Sequence, residues 1–263
     1  MESTRLPGKV LLPIPISGGK PMIRQITDQL ERDSVHAKTI VATSANSTDD
    51  ELADYCESNQ IECFRGDEDD VLSRFITLTE KLDFDVVVRL TGDNPIQDLG
   101  MIEMAIEHHT KNSADLTTIT GLPLGMNIEV VSGDALVRLK TKKLSREDKE
   151  HVTHHIKHSD EFRTDTVEYG IIPEYKKLRL TVDYPSDYAV LSLVLSFQEE
   201  NNLSGLKLID FVLENYPWIF DVNAGNIQKK QFTSESEEIK AAVKMLQKAD
   251  MNRAAEILEN YES

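Results

Sequence analysis

From Pro21 onward the apolar positions Met22, Ile23, Ile26 and Leu30 follow helical spacing, with the proline in a first-turn position where no N–H bond is needed. A helix is predicted there. The β-rich run Lys38-Thr-Ile-Val-Ala-Thr43 comes next, then a helix through Leu52, Tyr55 and Cys56, a short strand at residues 61–64 and a helix through Val71, Leu72, Phe75 and Leu82. The alternation predicts repeated β-α units and an α/β fold.

Phe84-Asp-Val-Val-Val-Arg-Leu90 holds three consecutive β-branched residues, which predicts a central strand buried on both faces and ended by the turn Thr91-Gly-Asp-Asn-Pro95. Ligands of open parallel α/β sheets bind at the carboxyl ends of strands, so Asp93 points towards the expected crevice. Beyond it the pattern predicts a helix near residues 102–109, strands near 115–120 and 127–131, and a helix from Arg146 to about His158. Leu178-Arg-Leu-Thr-Val182 reads as a further strand, followed by Asp183-Tyr-Pro-Ser-Asp187, where Ser186 or Asp187 is placed to cap an apolar helix over residues 188–197. Asp183 is thus a second acidic group at a strand end. After Trp218 the chain turns polar, and Ser234-Glu-Ser-Glu237 has capping-box spacing before a stripe of Ile239, Val243, Leu246, Ile257 and Leu258. The partition expected is a catalytic domain over residues 1–222 and a helical tail over 223–263.

Composition narrows the function. The 263 residues carry 29 Lys and Arg against 46 Asp and Glu, a net charge of −17, which repels a polyanionic backbone and argues against nucleic acid as a partner. A nucleotide remains compatible, because it needs only a few placed cations and N–H groups. Cys56 and Cys63 lack metal-ligand spacing and sit in amphipathic segments, as expected of core thiols in a reducing compartment. No apolar run approaches the roughly 18 residues of a membrane span, and the first residues form no signal peptide, so a cytoplasmic protein without a membrane partner is expected.

The run Ser3-Thr-Arg-Leu-Pro-Gly-Lys9 suits a loop that wraps phosphates; a basic terminus without fixed structure is the alternative reading. It is not a P-loop, since no glycine-lysine pair is followed by Ser or Thr in the required frame. Taken with Val41-Ala-Thr-Ser44, Phe64-Arg-Gly66, Glu68-Asp-Asp-Val-Leu72, Thr91-Gly-Asp-Asn-Pro95 and Glu150-His-Val-Thr153, it resembles the cytidylyltransferases of the spore-coat polysaccharide type, relatives of the enzymes that activate 3-deoxy-manno-octulosonate and sialic acids. The resemblance runs in order over roughly residues 3–200. It implies a three-layer, GT-A-like and Rossmann-like nucleotide-diphospho-sugar transferase fold with a mostly parallel central sheet. Family members open with an apolar strand ending in Gln-Ala-Arg, and only Met1-Glu2 precede Ser3 here, so that strand is expected to be missing.

Carried over by position, the resemblance implies that Ser3, Thr4, Arg5, Gly8, Lys9, Thr43 and Asp93 bind nucleotide, with Arg5, Lys9 and Asp93 carrying catalysis. Asp93 and Asp183 would hold Mg2+, which favours one or two carboxylates plus phosphate oxygens; a turn or helix cap is the structural reading of either alone. Glu129, His151 and Arg65 match substrate-facing positions. The implied partners are CTP and a sugar, with a homodimer as a family expectation. The reaction implied is transfer of CMP to a sugar hydroxyl; another nucleoside triphosphate, or binding without turnover, are the alternatives. Glu68, Asp69 and Asp70 read more simply as the acidic first turn of a helix. His151, His154, His155 and His158 cluster at helical spacing, yet no third zinc ligand is identifiable beside them.

Overall fold

The protein's structure, a computed structural model, describes residues 5–31, 37–170, 172–227 and 235–259. Regular structure there opens with a 3-10 turn, Lys9–Leu11, entered through Gly8 at φ 66°. An added Cβ on Gly8 would meet nothing within 4 Å, so the left-handed backbone, not lack of space, calls for glycine. β1 (Pro13–Ile14) and β2 (Lys20–Pro21) form a small antiparallel ribbon. Pro21 leads into α1 (Met22–Glu31), which buries Met22, Ile23 and Ile26 as the apolar spacing requires.

The β-α alternation follows: β3 (Val41–Ser44), α2 (Asp50–Ser58), β4 (Cys63–Gly66), α3 (Val71–Leu82), β5 (Val86–Arg89), α4 (Leu99–Asn112) and β6 (Leu116–Thr120). Then come β7 (Glu129–Ser132), α5 (Gly133–Arg138), α6 (Arg146–Glu150), α7 (His154–His158), β8 (Thr164–Glu168), α8 (Pro185–Asn201) and α9 (Gly205–Asn215). β3 and β4 pair in parallel, and a second sheet has the order β5-β7-β6-β8. β7 is antiparallel to β5 and β6, while β8 is parallel to β6. Hence β5, β6 and β8 share one direction and β7 alone is reversed.

Helices cover both faces of the four-stranded sheet. Ile102 and Ala105 of α4 pack with Ile119, Ile128 and Val130 on one face. Leu72 and Ile76 of α3 and Ala135 and Leu136 of α5 pack with Leu116 and Val131 on the other. Each large aliphatic side chain so buried contributes about 1.5–3 kcal/mol. A third cluster joins α1, α8 and α9 through Met22, Ile26, Val190, Val194, Leu206 and Ile209, which fixes α8 and the turn that leads into it.

Three expectations are corrected. β5 does face helices on both sides, Val86 and Val88 towards α4 and Val87 towards α3 and α5. All four of its residues nevertheless keep intermediate exposure, because β5 ends the strand order and pairs only with β7 among the described residues. Residues 178–182 form no strand of their own: Arg179 makes one isolated bridge with Leu124, and the Leu180 amide donates to the Leu124 carbonyl at 2.7 Å. Gly125 permits this approach, since a Cβ there would fall 2.5 Å from the Leu180 carbonyl carbon.

The helix expected from Arg146 to about His158 is instead α6 and α7, parted at His151-Val-Thr153. Val152 is fully buried at φ 54°, a conformation that costs a β-branched residue about 1–3 kcal/mol. The buried side chain and the bonds made by its neighbours hold it there. α6 opens on a capping box between Ser145 and Asp148, and the Asp148 carboxylate also accepts from His154 Nδ1 at 2.8 Å. Burial pushes this carboxyl up, but the bonds from His154 and Ser145 outweigh it and hold the group at about 2, against an ordinary 3.8. A depressed carboxyl stabilises the fold above its unfolded value and loses that contribution as pH falls towards 2. Asp148→Asn is therefore expected to lower stability by about 2 kcal/mol at pH 7 and by about half as much at pH 3, read from urea midpoints at the two pH values.

The chain divides into two compact units, Met1–Gly225 and Asn226–Ser263. The second holds α10 (Glu235–Lys248) and α11 (Asn252–Glu259), packed together with Val243 and Ala255 buried. The capping box expected at Ser234 lies outside the described residues. Among the described residues no helix is long and apolar enough to cross a membrane.

Candidate active site

The turn after β5 is closed by the Asn94 amide, which donates to the Thr91 carbonyl at 3.2 Å, and it sets the Asp93 carboxylate beyond the strand end. The Val182 amide donates to the Asp93 main-chain carbonyl at 2.8 Å, bringing the 178–183 segment alongside. Asp93 and Asp183 thereby share a partner. Lys9 Nζ donates to Asp93 Oδ2 at 2.9 Å, to Asp183 Oδ1 at 3.2 Å and to the Val182 carbonyl at 2.5 Å.

Arg5 approaches from the same side. Its Nη2 lies 3.6 Å from Asp183 Oδ1, and its Nη1 donates to the Tyr184 hydroxyl at 2.9 Å. The guanidinium carbon stands 4.6 Å from the centre of the Tyr184 ring, within range of a cation–π contact. The bond to Tyr184 raises the Arg5 pKa further above its already high ordinary value.

Beneath these groups lies an ionic network that sequence reasoning missed. Arg179, 5% exposed, donates from Nη2 to Asp183 Oδ2 at 2.7 Å and from Nε to Asp187 Oδ1 at 3.0 Å. Asp187 is fully buried, and its other oxygen accepts the Asp183 and Tyr184 amides at 3.0 and 2.9 Å. Asp187 does not stand before the helix as expected; α8 already begins at Pro185, and Asp187 reaches back from its first turn. Asn223 Nδ2 completes the network, donating to Asp187 Oδ1 at 3.0 Å and to the Arg179 carbonyl at 2.9 Å. Burial raises the Asp183 carboxyl, yet Lys9, Arg5 and Arg179 together outweigh it and hold the group below the usual carboxylate value. A charged residue amid the apolar alternation of Leu178-Arg-Leu-Thr-Val182 was the available signal, since a buried guanidinium requires carboxylate partners.

The remaining expected residues fall into two other groups. Glu129, at the start of β7, stands opposite Arg89 at the end of β5 and accepts from it at 3.0 Å. Lys157 and the Thr153 hydroxyl also donate to Glu129, the latter at 3.0 Å, and His151 lies two residues before Thr153 in the turn between α6 and α7. Burial raises the Glu129 carboxyl, but Arg89 and Lys157 prevail and lower it.

Thr43 and Arg65 serve the end of β3. The Thr43 hydroxyl donates to buried Asp49 at 2.6 Å, and Arg65 donates to the carbonyls of Ser44 and Asn46 at 3.0 and 2.8 Å and to Asp50 at 2.6 Å. The structure thus gathers Arg5, Lys9, Asp93 and Asp183, engages Glu129 with Arg89, Thr153 and Lys157, leaves His151 in the neighbouring turn between α6 and α7, and engages Thr43 and Arg65 with the β3 turn. Ser3 and Thr4 lie outside the described residues. Among the described residues no cluster of three or more His, Cys, Asp or Glu side chains is arranged to hold a metal.

Solved structures define the class of fold as that of nucleotide-sugar transferases. A cytidylyltransferase from Leptospira borgpetersenii superposes with a TM-score of 0.75 at 24% identity, over 89% of this chain and 95% of that one. A CMP:2-keto-3-deoxy-manno-octonic acid synthetase complexed with CTP gives 0.55 at 16% identity, over 74% of this chain and 95% of that one. The chain itself belongs to the cytidylyltransferase family, which it matches over residues 1–216. It is 32% identical over 222 residues to the spore coat polysaccharide biosynthesis protein SpsF of Bacillus subtilis, covering 82% of this chain and 91% of that protein.

Proposed function

We propose that this protein transfers CMP from CTP to a sugar hydroxyl, with release of pyrophosphate, in the synthesis of a surface polysaccharide or glycan. The observation that carries the reading is the convergence of Lys9, Arg5, Asp93 and Asp183 beyond the end of β5, in a chain of the cytidylyltransferase family. The sugar oxygen attacks the α-phosphorus in line and displaces pyrophosphate, so no nucleophilic side chain is needed. Charge stabilisation and positioning then carry most of the rate.

The donor set fits magnesium, because two carboxylate oxygens and a main-chain carbonyl already converge on one cation, Lys9. Asp93 and Asp183 would hold the ion, which supplies neutralisation of phosphate charge. Lys9 and Arg5 balance the charge of the departing pyrophosphate, and Arg179 with Asp187 keeps Asp183 in position. Gly8 brings main-chain N–H groups to the phosphates, and Glu129 with His151 faces the sugar. The reaction takes place in the cytoplasm.

A pyrophosphate-release assay with CTP, Mg2+ and a panel of acidic and neutral sugars tests the reading. Release that requires CTP and one class of sugar is expected. Turnover with UTP or GTP in place of CTP would reassign the nucleotide, and silence from protein that binds CTP would leave a nucleotide-binding protein without transferase activity.

A further inference from the structure

Lys9 Nζ uses all three of its donors on oxygens: Asp93 Oδ2, Asp183 Oδ1 and the Val182 carbonyl. Carboxylates and a carbonyl are equally the donors a hard divalent cation takes. One such set cannot hold an ammonium and a divalent ion together, because like charges a few ångströms apart repel strongly in a partly buried site. The other two cations on Asp183 are tied elsewhere. Arg179 is pinned by Asp187, and Arg5 is stacked on and bonded to Tyr184. Lys9 is only 13% exposed, but its ammonium ends a flexible four-carbon stem just after the left-handed Gly8, so it can swing without disturbing an element of the sheet.

We propose that Lys9 is an exchangeable internal cation: its ammonium holds Asp93 and Asp183 together and leaves them when a divalent ion takes their oxygens. The released ammonium then meets the triphosphate, so one side chain couples metal entry to nucleotide entry. The proposal rests on the reading of this pair as the metal-binding site of a CTP-using enzyme. It adds that Lys9 opposes metal binding in the free protein while favouring turnover.

Manganese binding to the full chain without nucleotide, followed by electron paramagnetic resonance, tests it. Lys9→Met is expected to bind Mn2+ about tenfold or more tightly than the parent, a coupling of ordinary size between competing cations. Lys9→Arg, which keeps the charge, is expected to bind as weakly as the parent. Adding Asp93→Asn to Lys9→Met is expected to abolish the gain.

No gain in Lys9→Met, an equal gain in Lys9→Arg, or a gain that survives Asp93→Asn would each overturn the proposal. Thermal unfolding accompanies every variant, and Lys9→Gln serves if Lys9→Met does not fold. If neither neutral variant folds, Lys9 is a fixed structural ion pair and the proposal falls. Pyrophosphate release by the parent is scored separately. Release without a manganese gain sinks the exchange alone, whereas a gain without release sinks the transferase reading and leaves only the competition between Lys9 and the metal, without its coupling to turnover.

Discussion

Asp93→Asn is expected to lower CTP-dependent pyrophosphate release by about a hundredfold to a thousandfold, the range found when one preorganised electrostatic group is removed from a reaction centre. The substitution keeps the shape of the side chain and removes its charge. It leaves intact the main-chain bond by which the Val182 amide meets the Asp93 carbonyl, so the 178–183 segment remains docked. The carboxylate is 30% exposed and Lys9 retains Asp183, which limits the change in stability to about 1 kcal/mol or less. Steady-state rates and a thermal melt on the same preparation separate the two effects. A variant within tenfold of the parent would remove Asp93 from the reaction centre, and a large fall in melting temperature would reassign it to the fold.

The positions of Asp93 and Asp183 were legible because local signals converge on them. A β-branched run followed by Thr91-Gly-Asp-Asn-Pro95 marks a strand end, and the apolar alternation before Asp183-Tyr-Pro reads as a second one; the structure has an extended segment there instead, docked on the Asp93 turn through the Val182 amide. The family resemblance added Arg5 and Lys9. What escaped depends on contacts between distant segments. Asn223 has no periodic signal and lies just beyond the boundary drawn at residue 222, yet it holds a buried carboxylate 36 residues away.

Val152 reads as one more apolar position in a helix, and only its left-handed backbone reveals the break that carries Thr153 to Glu129. Thr43 and Arg65 matched family positions, but matching residue types does not reveal which neighbour engages them first; here Asp49, Asp50 and two carbonyls do. The β5 expectation failed for a related reason. Three valines predict packing on both faces, which occurs, but a one-dimensional pattern carries no information about the edge.

The network beneath the site should decouple folding from chemistry. Arg179→Met removes the cation from fully buried Asp187 and one of three cations from Asp183. Breaking a buried ion pair on one side costs about 3–5 kcal/mol, a large part of the 5–15 kcal/mol that holds a domain folded. A fall in melting temperature of roughly 10 °C is expected for a chain of this size, with loss of turnover. Adding Asp187→Asn removes the stranded charge while leaving an oxygen for the Asp183 and Tyr184 amides, so the double variant is expected to recover much of the stability. Turnover is not expected to return, because Asp183 still lacks the guanidinium that orients it towards Lys9. Recovery of both would mean that Arg179 serves the fold alone. Recovery of neither would mean that the buried charge of Asp187 is not what the single substitution exposes, and would shift the cause to the lost bond from Arg179 to Asp183.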